Sequence, residues 1–214
     1  MSDPLVIAID GPSASGKSTN AKLVAQALGC TYVDTGAMYR TLAWHCLQQG
    51  IDTSDPEAIA THCGQWNDEL ACQDGHARLL VDGYYPEAEI RTAETSAAVS
   101  AIAAVPGVRQ WMKEQQRSCT KFGNLVMEGR DIGSHIFPET PFKFYLDASP
   151  GERQSRRDAD GIQENLAARD QRDSTRATAP LVIPEGAIII NNTGETPAQT
   201  SARILAEIKR LSNQ

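Results

Sequence analysis

Lys17 closes a glycine-spaced run, Gly11-Pro12-Ser13-Ala14-Ser15-Gly16-Lys17-Ser18-Thr19, in which the Gly-x4-Gly-Lys-Ser spacing is that of a phosphate-binding loop. The chemistry is anion capture. Glycines let backbone N–H groups turn inward toward phosphate oxygens, and a following helix adds partial positive charge at its N-terminus. Lys17 would reach the β and γ phosphates of ATP or GTP, and Ser18 or Thr19 would offer a hydroxyl to Mg2+. A second anion site is indicated by Asp34-Thr35-Gly36-Ala37-Met38-Tyr39-Arg40, which sets an arginine one turn into a helix. A third group, Glu128-Gly129-Arg130-Asp131-Ile132-Gly133, puts an arginine and an aspartate just after another apolar run. Taken singly, Asp34 reads as a helix cap and Arg130 with Asp131 as surface ion pairing. Three such loops at the carboxyl ends of parallel strands face one crevice, which sets those readings aside.

The elements that must position these residues follow from periodicity. Leu5 to Ile9 is an apolar run of buried-strand length, and the helical period begins at Thr19 and stops at Gly29. Thr31 to Val33 reads as a second strand. Thr35 to Gln49 reads as a helix with Met38, Leu42, Cys46 and Leu47 on one side, and residues 56–70 as another. Residues 76–90 alternate around an Asp82-Gly83 turn, the signature of an antiparallel hairpin and so of an insert in an otherwise αβ chain. Thr92 to Ala104 and Val108 to Ser118 read as helices broken by Pro106-Gly107, the second with Val108, Trp111, Met112 and Gln115 on one face. Strands are expected at 124–127, 142–146 and 187–190, before a final helix from Pro197 to Leu211.

Composition bounds the partners. The chain has 214 residues, 41% hydrophobic and 22% charged, enough for one ordinary α/β domain. With 20 Lys and Arg against 27 Asp and Glu the net charge is −7, which argues against nucleic-acid polymers and membrane surfaces. A polyanionic substrate must therefore meet local clusters. Six of the 14 arginines (Arg153, Arg156, Arg157, Arg169, Arg172, Arg176) fall within 24 residues, interleaved with acids as in a solvated helix. The five cysteines are irregularly spaced with no C-x-x-C pair, so idle thiols in a reducing compartment are expected. No secretory signal or membrane-spanning run is apparent, and the expectation is a cytoplasmic monomer.

The segments IDGPSASGKST, VDTGAMYR, EIRTAETSAAVSAIAAVPGVRQ, EGRDIGSHIFPE, KFYLDASPGER and RDQRDSTRATAPL resemble the bacterial cytidylate (CMP) kinases, of the nucleoside monophosphate kinase group. The likeness covers nearly the whole chain. It implies a three-layer P-loop kinase fold with a central parallel sheet, built as one domain over 1–214. The core would be residues 1–35, 120–150 and 180–214, with an acceptor-binding region and its β insert over about 36–119 and a lid over about 151–179. The implied reaction is ATP-dependent phosphorylation of CMP and dCMP with Mg2+.

Carried over by position, the resemblance implies that Arg40, Arg130 and Arg176 hold the acceptor phosphate, and that Ser100, Arg109 and Asp131 read the cytosine edge. Arg169 and Asp173 would lie near the ribose hydroxyls. Asp34, with Thr35 beside it, helps place phosphate or Mg2+. The chemistry agrees, because a carboxylate accepts the N4 amine of cytosine and would be left unpaired against uracil, at about 1–3 kcal/mol per lost contact. The arginine-rich stretch resembles the mobile lid of these kinases, with Arg153 or Arg157 and Arg172 toward the donor phosphates and Arg156 as a further candidate. It is shorter than usual, with eleven residues between Arg157 and Arg169, and Gly133-Ser134-His135 departs from the family's threonine-valine step. Two rivals lack a use for these residues. Another P-loop kinase has no need of Asp131 with Arg109 and Ser100, and a nucleotide switch without an acceptor has none for Arg40 with Arg130 and Arg176.

Overall fold

Apolar runs become strands wherever a helix can cover them. The computed structural model describes residues 4–159 and 166–213. In chain order it shows β1 (Val6–Asp10), α1 (Lys17–Leu28), β2 (Thr31–Asp34), α2 (Thr35–Gln48), α3 (Pro56–Gln65) and the strands β3 (Glu69–Gln73) and β4 (His76–Leu80). There follow α4 (Ala93–Ile102), α5 (Pro106–Ser118), β5 (Leu125–Gly129), a π turn (Ile132–Ile136) and β6 (Phe142–Asp147). Helices α6 (Pro150–Ala159) and α7 (Leu166–Ser174), strand β7 (Ile188–Asn191) and α8 (Pro197–Ser212) complete it. The chain divides into two compact units, one made of residues 1–32 with 123–214 and the other of 33–122.

The first unit is built on parallel strands. β1 lies between β5 and β6, parallel to both, and β6 pairs in parallel with β7. Every residue of β1 and β5 is buried, so both faces of these strands are covered and the sequence is apolar up to the carboxylates Asp10 and Glu128 near their carboxyl ends. Ile7, Ile9, Val126, Phe144, Leu146 and Ile190 meet Ala21 and Val24 of α1 and Ile204 and Ile208 of α8 in one cluster. Each fully buried Ile or Phe there contributes about 1.5–3 kcal/mol. A capping box starts α8, where Thr196 accepts from the Gln199 N–H and Gln199 reaches back. This architecture is the α/β P-loop kinase arrangement expected from the sequence.

In the second unit α2 packs on α4 and α3 on α5. Two details differ from the sequence reading. The helix expected over 56–70 ends at Gln65, because Trp66 is extended and Asn67 and Asp68 favour local turns over helix. Strand β3 follows. The hairpin pairs Glu69 with Leu80 through Gln73 with His76, so its turn is Asp74-Gly75, both at positive φ. Asp82-Gly83 makes the same kind of turn but closes only one bridge, Val81 to Tyr84. Pro86 follows at once and removes the next ladder donor.

Candidate functional site

The loop between β1 and α1 is opened by two left-handed glycines. Gly11 has φ +151, and a Cβ there would stand 2.0 Å from the Leu146 carbonyl oxygen, so only glycine lets β6 come this close. Gly16 has φ +85 and forms the N-cap of α1. Ala14 also has positive φ, 58°, a strained conformation for a residue with a side chain. Pro12, Ser13 and Ser15 are buried, whereas Ser18 and Thr19 are exposed in the first turn of the helix. Lys17 folds over its own loop, its Nζ donating to the Pro12 carbonyl at 2.6 Å and to Ser15 Oγ at 3.4 Å. An ammonium has three donors, so one remains.

Lys17 is only 6% exposed, and burial pushes its pKa well below the usual lysine range. Arg130 and Arg169 push the same way, while Glu128 and Asp10 oppose them. A phosphate would reverse this, since an anion within hydrogen-bond reach favours the charged amine. Asp10, fully buried at the end of β1, accepts from the Ile132 and Gly133 N–H groups at 2.8 Å each. It thereby pins the start of the π turn. Burial raises its pKa to about 7 against these two bonds. Glu128 takes the Tyr32 hydroxyl hydrogen bond at the end of β5, and Asp131, also buried, caps the π turn through its carbonyl.

Arg130, Arg153, Arg156 and Arg176 are each held by an acid. Arg130 Nε donates to Asp173 Oδ2 at 2.9 Å and Arg176 Nη2 to Asp173 Oδ1 at 2.6 Å, so one carboxylate orients two guanidiniums. Burial alone would raise the Asp173 pKa, but the Arg130 charge and hydrogen bond, with Arg176 and Arg169, hold it below the usual range. Arg153 of α6 pairs with Asp170 of α7 and donates to Ser13 O at 3.1 Å, while Asp170 accepts the Ser13 N–H at 3.2 Å. Arg156 donates to Glu152 and to Asn192. Arg157 and Arg169 are half-buried; Arg172 is exposed, with its Nε on the Ala168 carbonyl of its own helix. Residues 160–165 of the lid segment lie outside the described residues.

In the second unit Asp34 caps α2, accepting the Ala37 N–H at 2.8 Å, and its other oxygen takes Arg40 Nη2 at 3.4 Å. Thr35 is buried beside the cap and Ser100 is exposed on α4. Arg109 is buried, 4% exposed, with its guanidinium 5.5 Å from the Tyr39 ring centroid.

A phosphate loop with a buried lysine, and arginines paired on a single carboxylate, leave open what the protein acts on. The sequence model of the cytidylate kinase family matches residues 7–210. The chain belongs to that family. It is 41% identical to the cytidylate kinase of Symbiobacterium thermophilum over 96% of each chain, and 36% identical to that of Oceanobacillus iheyensis over all of this chain and 98% of the relative. Identity reaches 46% over 88% of the chain with the bifunctional pantoate ligase/cytidylate kinase of Synechococcus elongatus, of whose length the chain spans 39%.

For a cytidylate kinase the sequence reading left two residues of this site without a role. Asp10 stands in IDGPSASGKST, where its only signal is a carboxylate ending an apolar strand. Asn192 follows the isoleucines of β7 and donates to the Ser15 carbonyl at 2.9 Å. Among the described residues no group of three His, Cys, Asp or Glu could hold a metal, and no helix is long and apolar enough to cross a membrane.

Proposed function

We propose that the protein transfers the γ-phosphoryl group of ATP to CMP and dCMP, giving CDP and dCDP with ADP. The observation that carries this reading is the pair Arg130 and Arg176 fixed on Asp173 in the unit that also holds the Lys17 loop, because a second ordered cationic site is what an anionic acceptor requires. The acceptor phosphate oxygen attacks the γ phosphorus in line, the bond to the β,γ-bridging oxygen breaks, and ADP leaves. The transition state is loose with charge spread over the equatorial oxygens, so positioning and cations do the catalysis.

The roles we assign in the first unit are Lys17 and the loop Gly11 to Thr19 with Arg153, Arg157 and Arg172 for the donor, and Arg130, Asp131, Arg169, Asp173 and Arg176 for the acceptor. In the second unit they are Asp34, Thr35, Arg40, Ser100 and Arg109. Helices α6 and α7 serve as the lid. The chemistry of the donors fits an Mg2+ that arrives on the phosphates: Ser18 offers a hard oxygen in the first turn of α1, while Asp10 has both oxygens occupied by amides. When bound, Mg2+ neutralises phosphate charge. We place the enzyme in the cytoplasm, in keeping with five free thiols, and propose that it acts as a monomer.

The test is coupled ADP release with CMP, dCMP, UMP and AMP in parallel. CMP and dCMP are expected to turn over fastest. Equal rates with and without CMP end the kinase reading, and a preference for AMP ends the cytosine assignment.

A further inference from the structure

Asn192 is 2% exposed and every polar atom it has is committed. Its Nδ2 donates to the Ser15 carbonyl at 2.9 Å, inside the phosphate loop. Its Oδ1 accepts from Arg156 Nη1 at 3.1 Å and its carbonyl from Arg156 Nη2 at 3.2 Å. Its N–H donates to the Asp147 carbonyl at the end of β6. Arg156 in turn gives Nε and Nη2 to Glu152 Oε1 at 3.2 and 3.1 Å. Four of its five N–H donors are thus spent on protein. The guanidinium also lies against the loop, 3.5 Å from where a Cβ on Gly16 would stand. An arginine so tied cannot fork onto a phosphate without giving up its anchors.

We infer that Asn192 is a positioning residue for the donor nucleotide, clamping the phosphate loop to α6 through Arg156, which acts as a strut and not as a phosphate ligand. The clamp fixes the spacing between Lys17 on one side and Arg153 and Arg157 on the other. This rests on the reading of ATP as donor. Asparagine suits the place because one oxygen must face a guanidinium while the neighbouring group donates to a carbonyl; a carboxylate would set oxygen against oxygen at Ser15.

The experiment compares N192A, N192D, R156A and the double variant N192A/R156A with the parent, by steady-state kinetics in each substrate and by calorimetric ATP binding. N192A is expected to raise the KM for ATP about 10-fold or more with the KM for CMP within twofold. N192D keeps the acceptor for Arg156 but loses the Ser15 bond, and should not rescue. The double variant should lose no more than the worse single variant. A purely structural role would lower the melting temperature and leave both KM values alone, and that outcome overturns the proposal, as do additive losses. Calorimetry separates it from the reading it rests on. Parent protein that binds ATP but does not phosphorylate CMP sinks the function, whereas equal ATP binding by parent and N192A sinks the clamp.

Discussion

Asp173→Asn tests how the proposed acceptor site is built. In the structure one carboxylate holds Arg130 at 2.9 Å and Arg176 at 2.6 Å, with the three side chains 17%, 18% and 13% exposed. Each charge-assisted bond of this kind is worth about 1.5–3 kcal/mol. The amide keeps one acceptor but turns an NH2 toward the other arginine, so unfolding free energy should fall by about 2–3 kcal/mol. Both guanidiniums then wander, and re-ordering each on CMP costs about 0.5–1.5 kcal/mol. The sum of about 1–3 kcal/mol is about a 5- to 150-fold rise in the KM for CMP. Kinetics at saturating ATP, with CMP and dCMP side by side, read it. If Asp173 works by orienting the arginines, both acceptors lose equally. A loss confined to CMP refutes that reasoning and gives Asp173 the ribose contact. Its folded pKa is depressed, so the parent's stability advantage is present above pH 4 and lost as pH falls through the lower value.

Asp10→Ala leaves the buried Ile132 and Gly133 amides without partners and should cost about 2–6 kcal/mol in urea unfolding; a loss under about 0.5 kcal/mol would show that these bonds do not hold the π turn. Because burial raises the Asp10 pKa to about 7, the folded protein keeps a proton that the unfolded chain gives up, and the stability difference between parent and D10N should shrink as pH rises from 4 to 7. His45 and His62, with ring centroids 4.8 Å apart, are both held below the ordinary histidine range by burial, and His45 also by His62. The unfolded chain protonates first, so this contribution is full above pH 6.5 and lost below it; H62Q should flatten the fall in urea midpoint between pH 6.5 and 5, and an unchanged slope counts against the pair. Asp170→Asn removes the charge that competes with phosphate for Arg153 and should tighten calorimetric ATP binding about 5-fold while lowering the melting temperature; weaker binding would make Asp170 a donor-site organiser instead.

What could be read in the sequence divides by how far apart the partners stand. The phosphate loop is contiguous, and its chemistry demands fixed spacing, so Gly11, Gly16 and Lys17 declare it within seven positions. Asp10 and Asn192 find their partners 122 and 177 residues away, and neither carries a local signature. The insert was visible as alternation, but two Asp-Gly pairs carry one signal, and only pairing chose Asp74-Gly75. Arg109 shows the same limit from another side. Helical period puts Val108, Trp111 and Met112 on one face, and nothing in α5 itself says that the Arg109 guanidinium sits on the ring of Tyr39.

The interleaved acids of the arginine-rich segment have a sharper role than keeping a helix soluble. Asp173 holds Arg130 and Arg176, Asp170 holds Arg153, and Glu152 holds Arg156. A cation stripped of water and unpaired is expensive, so a lid with bare arginines would resist packing on the phosphate loop. At Arg153 the Asp170 carboxylate, standing where we propose that a phosphate oxygen later sits, removes that cost in the protein without nucleotide. Exchange of one anion for another then changes little in desolvation, and selectivity comes from what phosphate adds: more acceptor oxygens and a fork geometry that arginine matches. Asp170 goes furthest in this imitation, since it takes the Ser13 N–H as well as Arg153. In a chain of net charge −7, Arg153, Arg156 and Arg176, three of the six arginines within 24 residues, are therefore each kept beside a carboxylate, and at Arg153 a nucleotide phosphate can take that carboxylate's place.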